Sequence, residues 1–232
     1  MLNDPIVIVG AARTPMGGMQ GDFASLAASD LGAVAIKAAV ERAGVRPAEV
    51  QEAIMGNVLP AGQGQAPARQ AALKAGLPIS VVCTTVNKMC GSGMKAAMFA
   101  HDLIAAGSND IVVAGGMESM TNAPYLMPKA RSGYRMGHQI VQDHMFLDGL
   151  EDAYEKGRLM GTFAEDCAGK YEFTREEQDQ FALTSLSRAL AANIDGTFAW
   201  ETAPVTVTGA ISHAKVPSLL AASARDSDVS AK

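Results

Sequence analysis

The chain has 232 residues, of which 48% are hydrophobic and 19% charged, and its formal net charge is −5. This composition supports a buried core and excludes wholesale disorder, and because Lys and Arg are nowhere concentrated, nucleic-acid binding has no electrostatic basis. No apolar run reaches the roughly 20 residues of a membrane-spanning helix, and the N-terminus lacks the pattern of a signal peptide, so we expect a cytoplasmic protein that binds no membrane.

The first 117 residues alternate between predicted strands and predicted helices. Short apolar runs predict strands at 6–9, 52–58, 79–86 and 110–116. Helical spacing predicts helices at 25–43, in the Ala-rich stretch that ends at Gly76, and from Cys90 to Ala106. Such alternation predicts an α/β fold, with βαβ units in a largely parallel sheet and helices on both faces. We assign residues 1–117 to this core domain.

The pattern changes after Met117. Residues 118–160 contain prolines, glycines and scattered charges without sustained periodicity, which is typical of a functional excursion or a lid. Helices are predicted again after residue 160 and from Thr174, where Thr174 and Glu177 have the spacing of a capping box, and a last short strand is predicted at 203–209. We assign 118–209 to a partly helical loop domain and 210–232 to a divergent, frayed polar tail.

Cys90 lies where the strand predicted at 79–86 turns into a helix. A helix N-terminus carries unpaired N–H groups and a partial positive charge, and these favour a thiolate. Gly91 and Gly93 have no Cβ, so the backbone can approach a bound acyl group closely and leave N–H donors free for an oxyanion. Cys90 therefore has the surroundings of a nucleophile.

The residues around this helix allow two further predictions. The small side chains of Ala96, Ala97 and Ala100 predict a helix buried within the fold. Free cysteines mostly serve as packing groups, and we assign that role to Cys83 and Cys167. The three cysteines have no CxxC spacing and no His/Cys/carboxylate cluster has ligand spacing, so neither a disulfide framework nor a metal site is predicted.

The segment around Cys90, VNKMCGSGMKA, closely resembles the acyl-nucleophile motif of thiolases. Further segments resemble the same family and extend the similarity over residues 4–208: IVGAARTPMGGMQGDF, GNVLPAGQGQAPARQAALKAGLP, VVAGGMESMTNAPYL and DGLEDAYEKGRLMGTFAEDCA. The similarity is strongest to the bacterial acetyl-CoA acetyltransferases within that family. It implies a thiolase-like fold, namely the N-terminal half with its layered βαβ sheet and an inserted loop domain.

The resemblance also implies a chemistry. Cys90 would attack the keto carbon of acetoacetyl-CoA and hold the acetyl group as a thioester until a second CoA takes it, or condense two acetyl units in reverse. Met160 would line the acyl pocket, Gly91 and Gly93 would contact the substrate, and the loop domain would cover the CoA. The implied substrates are coenzyme A thioesters in fatty acid metabolism, without a metal or other cofactor. The implied assembly is a homo-oligomer, a dimer or a tetramer, in which residues 122–138 join the dimers.

The sequence also departs from the family. Several members have a histidine that binds the pantetheine arm where this chain has Leu159. Three features of the family's second half do not occur: an Asn-Glu-Ala-Phe segment, a Gly-His-Pro histidine and a second catalytic cysteine in a Cys-x-Gly turn. We therefore expect a truncated chain that lacks a general base and that either is poorly soluble or needs a partner chain.

None of the four histidines is assigned to catalysis. His101 lies more than two helical turns from Cys90, His213 lies beyond the region of resemblance, and His138 and His144 are interpreted as solvated loop side chains. Three functions stay open: an acetyl-CoA C-acetyltransferase, an inactive thiolase fragment that only binds a partner or an acyl-CoA, and a fatty-acid-type condensing enzyme. The third is disfavoured because such enzymes also need a downstream histidine.

Overall fold

The computed structural model describes residues 5–207 and 210–212. The α-helices within these ranges are α1 (Ala28–Arg42), α2 (Pro67–Lys74), α3 (Ser92–Ala105), α4 (Met160–Lys170) and α5 (Arg175–Ile194). The strands are β1 (Glu52–Gly56), β2 (Val82–Val86), β3 (Val112–Gly116), β4 (Tyr125–Leu126), β5 (Gln142–Asp143), β6 (Val205–Val207) and β7 (Ala210–Ser212). Single 3₁₀ turns lie at Pro47–Glu49, Met120–Asn122 and Ala130–Ser132, and a π-helical turn at Phe146–Leu150. Most of the predicted tail, from His213 onward, lies outside the described residues.

A parallel sheet with β1 at its centre organises the first half of the chain. Its order is β2-β1-β3, with Glu52 of β1 opposite Val82 on one side and Val112 on the other. The connection through α2 and the connection through α3 cross the sheet in opposite directions. Because such crossovers are right-handed, α2 and α3 lie on opposite faces of the sheet. The predicted α/β architecture is confirmed.

The main core fills the space between the sheet and helices α1 and α2. Successive residues of a strand point to opposite faces, so Ala53 and Met55 belong to this core together with Ile36 and Ala71. Ile54, which points the other way, is also buried, on the face that α3 covers. On the core face, the small buried side chains of Ala53 and Ala71 let α2 pack closely onto β1.

Helix α3 covers the sheet with only one of its faces. Ala96 and Ala100 are buried, as predicted, but Ala97, Met94 and Met98 are exposed. The prediction of a helix buried within the fold therefore holds for one face of α3 only, within the part of the chain that the structure describes. The small residues indicated correctly the face that meets the sheet, but no described segment packs on the opposite face.

The strand predicted at 6–9 is also wrong. These residues form no ladder with any described strand, and Ile8 is 90% exposed. The segment nevertheless lies against α1, because a Cβ at Gly10 would stand 2.5 Å from the carbonyl oxygen of Ala39. An apolar run becomes a strand only when a neighbour satisfies its backbone groups, and no described segment provides that neighbour.

The second half of the chain is loosely packed and rich in turns, as its irregular sequence predicts. Strands β4 and β5 form a short antiparallel pair, and no residue of α4 or α5 is buried. The capping box at the start of α5 is confirmed, since Thr174 N–H donates to Glu177 Oε2 at 2.8 Å and Glu177 N–H donates to Thr174 Oγ1 at 3.2 Å. Among the described residues, no helix is long and apolar enough to cross a membrane.

The segment after α5 returns to the beginning of the chain. Arg13 N–H donates to the Glu201 carbonyl at 2.8 Å, and Ala203 N–H donates to the Arg13 carbonyl at 2.7 Å. The Arg42 guanidinium at the end of α1 donates to the carbonyl groups of Glu201 and Thr202. These bonds attach the end of the region 118–209 to the region 1–117. The division of the chain into these two domains stays a prediction.

Candidate active site

Cys90 occupies a sharp turn between β2 and α3. The strand ends at Val86 and the helix begins at Ser92, so five residues reverse the direction of the chain. Met89 has a left-handed φ of 48°, a conformation that costs roughly 1–2 kcal/mol for a residue with a Cβ. The thiol of Cys90 is exposed at this turn. Strained strand-to-helix turns of this kind present nucleophiles in other enzymes.

Two polar side chains hold the turn on both sides of Cys90. Asn87 Oδ1 accepts a hydrogen bond from Met89 N–H at 3.0 Å. Ser92 Oγ accepts one from Lys88 N–H at 2.9 Å and donates to the Met89 carbonyl at 2.6 Å. Neither residue was predicted from the sequence, although an Asn two positions before a backbone donor is a recognisable turn signal.

Gly56 lets α3 begin directly against the end of β1. A Cβ at this position would stand 2.7 Å from Ser92 Cβ and 2.9 Å from the Gly93 nitrogen, which is closer than real Cβ atoms approach. From the sequence, Gly56 was predicted only as one residue of a strand. A glycine inside a strand pattern is nevertheless a signal of close backbone approach.

The two glycines beside Cys90 differ in their hydrogen bonding. Gly91 N–H donates to the Lys88 carbonyl at 3.1 Å, so this donor is engaged in the turn and is not the free donor that the sequence predicts. Gly93 N–H, by contrast, has no acceptor among the described residues. Substrate contacts by Gly91 and Gly93 stay a prediction, and Gly93 has the free donor that such a contact needs.

A cavity of about 900 Å³ lies beside Cys90. The loop at 12–19, the ends of β1 and β3 and the turn at 145–150 contribute to its walls. Its lining includes six methionines: Met16, Met19, Met89, Met117, Met120 and Met145. Methionine side chains are flexible and apolar, so they adapt to apolar ligands of irregular shape. Asn57 and Glu118, which the sequence reasoning also missed, are among its polar lining residues.

Met160, predicted to line the acyl pocket, is not part of this cavity wall. It is the first residue of α4, and its side chain is 44% exposed. The structure therefore does not bring Met160 and Cys90 together around this cavity. The acyl-pocket role of Met160 stays a prediction.

His144 is buried, which corrects its interpretation as a solvated loop side chain. Only 4% of it is exposed. Its Nε2 accepts a hydrogen bond from Ala61 N–H at 3.4 Å, so the proton lies on Nδ1, which donates to Asp148 Oδ2 at 2.6 Å. The sequence could not show this, because Ala61 approaches from a loop 83 residues away. The hydrogen bond from Ala61 joins this turn to the loop after β1, and neither His144 nor Asp148 lines the cavity.

Neither of the other described histidines faces Cys90. His101 is exposed on α3 with its Nδ1 3.3 Å from Asp102 Oδ1, and His138 is exposed in its loop. Within the described ranges, no histidine lines the cavity, and no group of three or more His, Cys, Asp or Glu side chains could hold a metal ion. Among the described residues that line the cavity, Cys90 is the only cysteine.

The other two thiols have different surroundings. Cys83 is half-buried in β2, and burial raises the pKa of its thiol above the ordinary value, while the nearby Arg69 opposes the increase. Cys167 is exposed on α4. Neither lines the cavity that contains Cys90.

Comparison with known proteins gives a consistent result. Residues 6–219 match the family model of the thiolase N-terminal domain. Acetyl-CoA acetyltransferase 2 of Arabidopsis thaliana is 56% identical over 204 residues, which cover 88% of this chain and 50% of the relative. Acetyl-CoA acetyltransferase of Cupriavidus necator is 53% identical over 202 residues, which cover 87% of this chain and 51% of the relative. The chain thus spans about half the length of the curated relatives that it matches.

Proposed function

The chain belongs to the thiolase family, whose N-terminal domain it matches over residues 6–219, and on this premise we propose that Cys90 is the acyl-accepting nucleophile of an acetyl-CoA C-acetyltransferase. The observation that carries the proposal is the position of Cys90, exposed in a strained strand-to-helix turn beside an apolar cavity. The proposed substrates are acyl-CoA thioesters, with acetoacetyl-CoA and acetyl-CoA first among them.

The proposed reaction has two steps. The Cys90 sulfur attacks the keto carbon of acetoacetyl-CoA, the bond from that carbon to the neighbouring methylene breaks, and the released acetyl-CoA carbanion takes up a proton. The acetyl group then passes from Cys90 to the sulfur of a second CoA, which loses its thiol proton, and the Cys90 thiolate returns. The chemistry needs no metal or redox cofactor, because each step exchanges one nucleophile for another at an acyl carbon.

The geometry supports this role in two ways. The N–H of Gly93, which has no acceptor within the described part of the chain, lies at the start of α3, where the aligned peptide dipoles favour negative charge. The six methionines give the cavity an apolar wall that suits an acyl chain. Its polar part, which includes Asn57 and Glu118, lies at the carboxyl end of the sheet.

A second candidate function is an inactive thiolase fragment that binds an acyl-CoA or a partner without turnover. The observation in its favour is that no histidine lines the cavity within the described part of the chain. Loss of a general base typically lowers a rate by about 10²–10⁴-fold. A folded chain that retains bound acyl-CoA but never acquires an acetyl group would support this candidate.

Assembly and location are part of the same proposal. We propose a homo-oligomer, because the segment 122–138 carries Tyr125, Met127 and Met136 as exposed apolar side chains and such surfaces often mark interfaces. A cytoplasmic location and a role in fatty acid metabolism are also proposed. The free thiols support a reducing compartment, and the proposed acyl-CoA substrates support the metabolic role.

Intact-mass spectrometry of the folded chain tests the nucleophile. After brief incubation with acetoacetyl-CoA, we expect the wild type to gain one acetyl group and Cys90→Ala to gain none. Cys167→Ala, which removes another exposed thiol, is the matched control and should behave like the wild type. Equal acetylation of the wild type and Cys90→Ala, or no acetylation of a folded wild type, would contradict the proposal.

A further inference from the structure

The loops that follow the three parallel strands meet at one edge of the sheet. Because the strands are parallel and in register, their carboxyl ends coincide. Asn57 follows β1, Asn87 follows β2, and Glu118 is the second residue after β3. Hydrogen bonds among these side chains and one short loop, residues 57–59, connect the end of β3 to the turn that carries Cys90.

Glu118 binds the loop 57–59 through three N–H donors. Its Oε1 accepts from Asn57 Nδ2 at 2.7 Å and from Leu59 N–H at 3.1 Å, and its Oε2 accepts from Val58 N–H at 2.7 Å. Hydrogen bonds to an ionised carboxylate are about twice as strong as neutral ones. Glu118 therefore holds this loop in one conformation, although the loop is 60 residues away in sequence.

Asn57 makes the attachment specific. It is only 1% exposed, and its Nδ2 also donates to the Met117 carbonyl at 3.3 Å. The Met117 carbonyl oxygen and Glu118 Oε1 both accept from Nδ2. If the amide were rotated by half a turn, Asn57 Oδ1 would face these two oxygens, so the orientation of the amide is fixed. The Glu118 carboxylate and the Asn57 amide thus fit each other in only one arrangement.

The same loop is bound to the Cys90 turn from its other side. Asn87 Nδ2 donates to the Val58 carbonyl at 3.4 Å, and Asn87 Oδ1 accepts from Met89 N–H at 3.0 Å. Val58 therefore links the two side chains, since its N–H donates to Glu118 and its carbonyl accepts from Asn87. Met89, at the end of this series, is adjacent to Cys90 and has the strained left-handed φ.

We propose that Glu118 is a positioning residue for Cys90, acting through Val58 and Asn87 on the backbone of Met89. The inference rests on the proposed function of Cys90 as an acyl acceptor and adds a residue on which its orientation depends. An active-site group that moves by about 1 Å can lose about 10²-fold in rate. A carboxylate with three N–H donors is committed to those bonds, so its role is to hold the loop.

The test compares E118Q with E41Q, the same substitution on the exposed face of α1. The amide of E118Q has a single oxygen and cannot accept all three bonds. We expect acetylation of Cys90 by acetoacetyl-CoA to slow by about tenfold or more in E118Q, with E41Q at the wild-type rate. Alkylation of Cys90 by iodoacetamide, which needs no defined orientation, should change by less than about twofold.

A second variant separates positioning from general loss of stability. N87A removes the side chain that bonds the Val58 carbonyl and Met89 N–H, and we expect it to slow acetylation as E118Q does. The double variant E118Q/N87A should be no slower than either single variant, since both interrupt one path. Independent structural damage would instead give multiplied losses, and that result would overturn the inference.

Amide hydrogen exchange decides the inference without reference to acetylation. In E118Q we expect exchange in residues 89–92 to be about tenfold faster than in E41Q. An unchanged exchange rate at 89–92, or an unchanged acetylation rate in E118Q, would overturn the inference. If the wild type acquires no acetyl group, the proposed function fails, and the exchange rate still shows whether Glu118 orders the turn.

Discussion

Gly56→Ala tests directly whether close packing of α3 on β1 positions the Cys90 turn. The added Cβ would stand 2.7 Å from Ser92 Cβ, 2.8 Å from the Ser92 carbonyl carbon and 2.9 Å from the Gly93 nitrogen. Two of these atoms belong to the backbone, so no side-chain rotation can remove the overlap. The first turn of α3 must move away from the strand.

The expected cost follows from two opposing effects. Overpacking a buried position costs about 1–3 kcal/mol, and replacing glycine stabilises by about 0.4–1 kcal/mol through the unfolded chain. We expect a net loss of about 1–2 kcal/mol in the free energy of unfolding. Because Ser92 Oγ bonds both Lys88 and Met89, displacement of Ser92 should also slow acetylation of Cys90.

The matched control is Gly115→Ala in the neighbouring strand β3. Its Cβ would meet only the end of the Met55 side chain, with Sδ at 3.3 Å and Cε at 3.4 Å, and a methionine can rotate away. Urea unfolding gives the stability of both variants, and intact mass gives the acetylation rate. If Gly56→Ala is as stable as Gly115→Ala and Cys90 in it is acetylated at the wild-type rate, close packing of α3 on β1 does not position the turn.

Three further predictions concern the conformation of the turn, one ion pair and the thiols. Met89→Gly should raise the free energy of unfolding by up to about 1 kcal/mol, because the left-handed φ of Met89 strains a residue with a Cβ. Met89→Val should lower it, because a β-branched residue adopts this φ even less readily than methionine. Urea unfolding of both variants checks this, and a valine variant more stable than the wild type would contradict it. Burial alone would raise the pKa of Asp30. Hydrogen bonds from Lys74 and the Ala27 N–H, together with the charge of Lys74, outweigh this effect, so the pKa of Asp30 lies below its ordinary value. The ion pair therefore stabilises the fold above the ordinary Asp pKa and loses that contribution as the pH falls through the lower, folded value. Both side chains are more than a third exposed, so Asp30→Asn should cost only about 0.5–1 kcal/mol at neutral pH and nothing in acid, and an equal cost in acid would refute the assignment. Finally, iodoacetamide should label Cys83 several-fold more slowly than Cys90 and Cys167, since burial raises the pKa of the Cys83 thiol; mass spectrometry of the labelled peptides would contradict this if Cys83 reacted first.

The elements that the sequence predicts correctly are those with local signals. Helix α5 has its capping box in four consecutive residues, and α3 ends before Gly107, which adopts the left-handed conformation that its position requires. The junction at Cys90 was predictable for the same reason, because a β-branched run, two glycines and a helical pattern follow one another within 30 residues.

The errors and omissions all depend on contacts between distant residues. The run at 6–9 has the composition of a strand, but its hydrogen-bonding neighbour had to come from elsewhere in the chain, and the described residues do not provide it. The buried His144 accepts a hydrogen bond from Ala61, and Glu118 accepts hydrogen bonds from a loop about 60 residues before it. A single sequence gives the residue types at such contacts but not which of them meet.

The decisive measurement is to locate the acetyl group on the chain after incubation with acetoacetyl-CoA. Trypsin places the three cysteines on separate peptides, at residues 75–88, 89–95 and 159–170, because Lys74, Lys88, Lys95, Arg158 and Lys170 bound them. We expect the acetyl group on peptide 89–95 alone, and its loss when free CoA is added. Acetylation spread over all three peptides, or a group on 89–95 that CoA cannot remove, would contradict the assignment of Cys90 as the acyl-transferring nucleophile.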